Sequence, residues 1–229
     1  VGGITMTQGL TALTEDSGTS VIVLISKPPA PEVADRLVTQ AIAVGKPVVI
    51  NFLGVGASQI SGEGVFAAKT LEHAAKIAVA IVNDEPAPSA EDRLEGDRLH
   101  EAEAAAGRLQ VGQRYVRGLY CGGTFCYEAV MLLHDALGGV WSNTPREADY
   151  LLSDPWSSVA HTIIDLGTDE FTRGRPHPMI DHRARNDRLT REAEDPETAV
   201  ILFDVVLGHG SHADPAGTML PAIHAARRS

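Results

Sequence analysis

Apolar residues follow two rhythms along the first third of this chain. Through residues 2–83, short β-branched runs alternate with stretches whose apolar positions recur three and four apart, the pattern of a parallel sheet with helices on its faces. Residues 5–13 predict a first helix, ended by Thr14-Glu-Asp-Ser-Gly18, and residues 20–26 predict a strand buried on both faces. Lys27-Pro28-Pro29 stops that strand. Pro31-Glu32 opens a second helix carrying Val33, Leu37 and Ile42, with Gly45 as its stop. Residues 47–53 predict the next strand, and the small-residue loop 54–64 leaves its C-terminal end, where open α/β sheets place ligands. A short strand at 65–68 and a helix from Thr70, with Glu72 in its first turn, close the unit.

Between residues 83 and 110 the pattern changes. Pro86 and Pro88 precede an acidic, alanine-rich stretch with few large apolar residues, which predicts a partly helical linker. The alternation of strand and helix then restarts. Domains at 1–86 and 111–229, joined by 87–110, are expected, both α/β with mainly parallel sheets. In the second, Cys121-Gly-Gly123 turns into a helix bearing Tyr127, Val130, Met131 and Leu133. Residues 161–166 and 200–207 predict strands, followed by loops at 167–181 and 208–217. The helix between them, about residues 183–194, is so heavily charged that its pattern places it on the solvent side.

Composition narrows the function classes. The chain has 229 residues, of which 44% are hydrophobic, enough to bury real cores and to exclude intrinsic disorder. A net charge of −11 repels phosphate backbones and anionic headgroups, so neither nucleic acid nor a membrane surface is an expected partner. Two cysteines make no disulfide framework, and the apolar runs are far too short to span a bilayer; a cytoplasmic location follows as the expectation. Val1-Gly2-Gly3 carries no basic segment or lipidation signal.

Three loops of the second domain hold the candidate chemistry. In residues 208–217, Gly208 and Gly210 allow close backbone approach to an anion, His209 or His212 handles a proton, and Asp214 lies beside them; the alternative is a surface turn capped by Asp214. Metal binding ranks below both. In residues 171–181, Arg173, Arg175 and His177 sit between prolines, suited to clamp a carboxylate or phosphate, or else to pair with Asp169, Glu170 and Asp181. At the third, Cys121 before a helix start would have a lowered pKa, or be a buried inert thiol, while the N–H groups of Gly122 and Gly123 form an anion site capped by Thr124. Asp165 and Asp204, inside apolar strands, need partners. His73, His100, His134 and His224 lack polar neighbours in the sequence pattern and read as structural or solvated.

Seven stretches together resemble the FdrA family, relatives of succinyl-CoA synthetase. They are Val1-Gly-Gly-Ile4, Ser26-Lys-Pro-Pro29, Gly45-Lys-Pro-Val-Val49, Arg117-Gly-Leu-Tyr-Cys-Gly-Gly-Thr124, Asp165-Leu-Gly-Thr-Asp-Glu-Phe171, Gly174-Arg-Pro-His-Pro-Met-Ile-Asp181 and Gly208-His-Gly-Ser-His-Ala-Asp-Pro-Ala-Gly217. The resemblance implies two flavodoxin-like ligase domains in tandem and a CoA-binding-like domain ahead of Val1. Through that domain or a partner chain it implies CoA or nucleotide; this chain itself shows no cofactor motif. A homo- or hetero-oligomer is expected with it. Ligation through a phosphohistidine is not, because the matching loop 54–64 contains no His. The implied activity is acyl or carbamoyl transfer involving phosphate or CoA, including carbamoyl transfer between oxalurate and phosphate. The competing reading is a scaffolding or regulatory subunit.

Overall fold

The computed structural model describes residues 2–89 and 96–228, and the chain divides into two compact units, Val1–Arg93 and Leu94–Ser229. The predicted linker falls across this division; residues 90–95, at its middle, lie outside the described residues.

The first unit runs α1 (Ile4–Glu15), β1 (Ile22–Ser26), α2 (Pro31–Ile42), β2 (Val48–Phe52), β3 (Val65–Ala67) and α3 (Leu71–Val82), a parallel sheet in the order β1-β2-β3. Central β2 is buried along its whole length because helices cover both its faces. Ile22, Leu24, Val48, Ile50 and Phe52 meet Leu10, Leu37, Val38 and Ala41, while Val49 meets Ala74 and Ile77 of α3. Thr70 caps α3, accepting from the His73 N–H at 3.0 Å. Edge strand β1 corrects one expectation. Its other face stays partly open, with Val23 39% and Ile25 41% exposed.

The second unit runs α4 (Gly96–Ala106), β4 (Tyr115–Tyr120), α5 (Gly123–Leu137), β5 (Thr162–Asp165), the short α6 (Asp169–Thr172), α7 (Arg183–Glu194), β6 (Thr198–Phe203) and α8 (Pro215–Ala226). Its sheet is parallel too, in the order β5-β4-β6. Cys126, Ala129 and Val130 of α5 pack against Ile163 on one face; Leu119, Ile164, Phe171 and Leu189 pack on the other. Gly138 ends α5 at φ 71°, a left-handed turn that glycine adopts without strain. The strand predicted at 200–207 starts earlier and ends at Phe203, because Val205 and Leu207 leave the sheet and are exposed. The loop predicted at 208–217 is likewise shorter: Pro215 to Gly217 form the first turn of α8.

Helix α7 reverses its prediction. Arg185, Arg188, Leu189 and Glu192 recur at helical spacing and form the buried face. Their charges are tolerated inside because partners wait there. Arg188 bonds Glu192; Arg117 lies 3.0 Å from Glu192 Oε2 and donates to Asp195 Oδ2 at 2.7 Å. Ser158 Oγ donates to Glu192 Oε1 at 2.5 Å, and Arg188 Nη1 to the Pro155 carbonyl at 3.0 Å.

Candidate functional site

In the second unit the chain steps from β4 to one side for β5, then crosses to the other side for β6, so its connections reverse direction at the β4/β6 boundary. Outside the carboxyl ends of strands at such a reversal an open sheet leaves a crevice. Cys121 and Gly122 emerge there from β4, and Asp204 emerges from β6. The Cys121 N–H donates to Asp204 Oδ1 at 2.8 Å. Arg185 lies beneath, wholly buried, with Nη1 donating to the Asp204 carbonyl at 2.6 Å and to Oδ1 at 3.0 Å. The same Nη1 is 2.7 Å from Cys121 Sγ, and Nη2 is 2.8 Å from Met219 Sδ.

This packing corrects the expectation of a reactive thiolate. Cys121 is 1% exposed, and burial pushes its thiol up to about 12, against the pull of Arg185 and with Asp204 reinforcing the rise. Cys126 is buried as well. Thr124 is no cap: Gly122 holds that position and has no side chain to bond the first N–H groups of α5. Gly122, Gly123 and Thr124 are therefore an open backbone ledge at the crevice.

His177 stands beside it. A Cβ on Gly167 would lie 2.6 Å from both His177 Nε2 and the Cys121 carbonyl oxygen, so the absence of a side chain at Gly167 is what lets the ring approach the end of β4. Met179 N–H donates to His177 Nδ1 at 3.3 Å, which leaves Nε2 as the face turned to Gly167. Asp165 is buried and accepts from the Gly167 N–H at 2.9 Å.

The other predicted residues are dispersed around this edge. Arg173 and Arg175 are exposed, and Asp181 pairs with Arg183 rather than with either of them, because Arg183 follows it closely enough to chelate both carboxylate oxygens at 2.9 Å. That contact holds Asp181 down at about 2. Arg175 stacks 5.7 Å over the Trp156 ring and lines a cleft of about 280 Å³. His209 is exposed between Gly208 and Gly210, whose φ values of 121° and 86° turn the loop outward. His212 joins two loops: its N–H donates to the Met179 carbonyl at 2.9 Å, and its ring lies 5.3 Å from His182. Asp214 Oδ1 accepts from Gly217 N at 2.8 Å, which makes it the cap of α8. The Arg175 cleft and the His212 cleft share Asp181 and Arg183, and neither is lined by Gly122, Gly123, Thr124, Gly208 or Gly210. His134, expected without polar neighbours, is buried against Tyr150 and lies 3.6 Å from Glu147.

Two residues escaped the sequence reading. His182 is buried, with Nδ1 2.6 Å from Thr218 Oγ1 and Nε2 without a partner, and burial, Arg185 and His212 hold its pKa below the ordinary value. Arg185 ties β4, β6, α7 and α8 together. Its signal was the Leu189 stripe, in which an arginine four residues before a buried leucine shares the same face. Among the described residues, no group of three or more His, Cys, Asp and Glu side chains is disposed to hold a metal ion.

Residues 119–229 match the CoA-ligase family model. The match covers just under half of the chain, all of it in the second unit, and supports a likeness of that unit to the succinyl-CoA synthetase-like superfamily. Over its 229 residues the chain is also 41% identical to the "Uncharacterized protein YahF" of Escherichia coli (strain K12), across 99% of this chain and 44% of that protein. It spans less than half the length of that relative. No described helix is long and apolar enough to cross a membrane.

Proposed function

We propose that the chain is the FdrA-type ligase portion of an enzyme transferring an acyl or carbamoyl group to or from phosphate or CoA. The observation that carries the reading is the ledge of Gly122, Gly123 and Thr124, an uncapped helix start at the crevice where the sheet reverses direction. Free N–H groups at a helix start stabilise phosphate or a developing oxyanion. His177, beside Gly167, moves the proton, and Arg173 and Arg175 draw the anionic substrate toward the edge in an otherwise acidic protein. His209 and His212, with Gly208 and Gly210, border this edge on the loop after β6. CoA or nucleotide comes to this edge from another domain or a partner chain of an oligomer, in the cytoplasm. No phosphohistidine forms on loop 54–64, which has no imidazole.

The test is an assay of the intact protein, alone and with candidate partner chains, for CoA-thioester formation and for carbamoyl phosphate formation from oxalurate. His177→Ala should lower turnover by about 10²–10⁴-fold, the usual worth of a general acid or base. Unchanged turnover in a folded His177→Ala variant, or no transfer in either assay, would leave a scaffolding role in its place.

A further inference from the structure

We infer that the cleft between residues 171–181 and the start of α7 binds a small monocarboxylate with an apolar body. Leu166, Phe171, Pro176, Pro178 and Ala184 give it an apolar floor, and at about 280 Å³ it belongs with the smallest ligand pockets. Its rim carries four charges that are not equivalent. Arg183 is satisfied, chelated by Asp181 and acted on by Asp187. Arg175 pairs with no carboxylate among the described residues.

The remaining guanidinium is held in place. The guanidinium of Arg175 lies over Trp156, whose ring packs edge-on against buried Phe171 at 4.6 Å, and the backbone N–H of Arg175 donates to the Thr172 carbonyl at 3.1 Å, fixing the main chain it hangs from. Pro176 and Pro178 limit the freedom of the segment that follows. A fixed guanidinium above an apolar floor matches one carboxylate attached to hydrocarbon. Phosphate fits less well, because its remaining oxygens would be desolvated against Phe171 and Leu166. A second carboxylate would meet Asp181 and Asp187, whose charges oppose it.

The inference rests on the proposed transfer activity only in naming this ligand the acyl substrate; the binding claim stands alone. Calorimetric titration of the intact protein with acetate, propionate, butyrate, benzoate, succinate and phosphate tests it. Affinity should rise roughly fourfold per added methylene from acetate to butyrate. Succinate and phosphate should bind at least tenfold more weakly than butyrate. Arg175→Gln should weaken butyrate by roughly tenfold to a hundredfold, Ala184→Leu should block it by filling the floor, and Asp187→Asn should narrow the gap to succinate. If Ala184→Leu does not fold, a nuclear Overhauser contact between the butyrate methyl and the Phe171 ring decides the matter in the wild-type protein. Equal affinity for phosphate and butyrate, butyrate binding indifferent to Arg175→Gln, or no contact with Phe171 at saturation would overturn the inference. Butyrate binding with neither thioester formation nor carbamoyl phosphate formation from oxalurate would instead overturn the transfer reading and leave the cleft a binding site. Thioester formation from butyrate with unchanged KM in Arg175→Gln would do the reverse.

Discussion

Two parallel sheets of three strands are built in this chain with different interiors. In the first unit the buried side chains are almost wholly apolar; Asn51 is its buried polar residue among those described, with Nδ2 donating to the Ala68 carbonyl at 3.0 Å. In the second unit Arg117, Arg185, Arg188, Glu192, Asp165, His134 and His182 are all buried. Burying charge is a poor route to stability, since desolvation offsets most of what a pair gains. The two units differ in strand order as well. The first sheet adds its strands in sequence and its connections never reverse, whereas the second reverses beside β4 and opens a crevice at the strand ends. Of the buried polar groups, Arg185, Asp165 and His182 lie toward that crevice, where the candidate chemistry is, whereas Arg117 with Glu192 and Asp195, and His134, lie toward the amino ends of the strands.

Breaking Arg185 gives the comparison its hardest test. Arg185→Met would strand Asp204, and the second unit should lose about 3–5 kcal/mol of stability, as when a buried pair loses one member. Adding Asp204→Asn should restore part of that loss, because no uncompensated charge remains. Denaturant unfolding with hydrogen exchange would locate the change, and protection in residues 22–52 should stay unaltered. A loss below 1 kcal/mol would mean that the buried arginine is not what holds these elements together.

Acid should separate the units next. Burial lowers the pKa of both His161 and His182, with Arg117 adding to the first and Arg185 and His212 to the second. Such groups contribute stability that is present above the unfolded value of about 6.5 and is lost as pH falls through the lowered folded values. Both lie in the second unit, as do the two tryptophans, Trp141 and Trp156. Tryptophan fluorescence followed during urea unfolding should therefore show midpoints falling from pH 7 to pH 5, and His182→Gln should flatten that slope. A midpoint constant over this range would remove His182 as a source of acid sensitivity.

The smallest effect should be shared. Thr70 caps α3 and Asp214 caps α8, each accepting one backbone N–H. Thr70→Ala and Asp214→Ala should each cost about 1 kcal/mol in thermal or denaturant unfolding. A much larger loss for Asp214→Ala would give that residue a role beyond its cap.

Much of the fold was legible in the sequence, and less of the site. β-branched runs, Pro31 at a helix start and Gly45 after a helix end carry local signals, so elements and parallel character could be read without tertiary information. His177 and the Gly122–Gly123 turn were visible for the same reason, lying in loops straight after strands. Of the two readings open for Cys121, proximity to a helix start argued for a lowered pKa and a buried inert thiol was the alternative; burial against Asp204, a residue 83 positions away, selects the second. The alternative in which Asp181 would pair with Arg173 or Arg175 does not occur; Asp181 meets Arg183, one of several arginines within reach in sequence.

The sequence by itself determined the α/β class, the parallel sheets, the acidic surface and the glycine turn after β4, since each depends on periodicity, charge or backbone conformation within a short window. Only the tertiary structure decided which face of α7 is inside. Whether a charged stripe is solvated or buried depends on partners brought from elsewhere, and Arg117, Asp195 and Asp204 reach Glu192, Arg117 and Arg185 only after the sheet has formed.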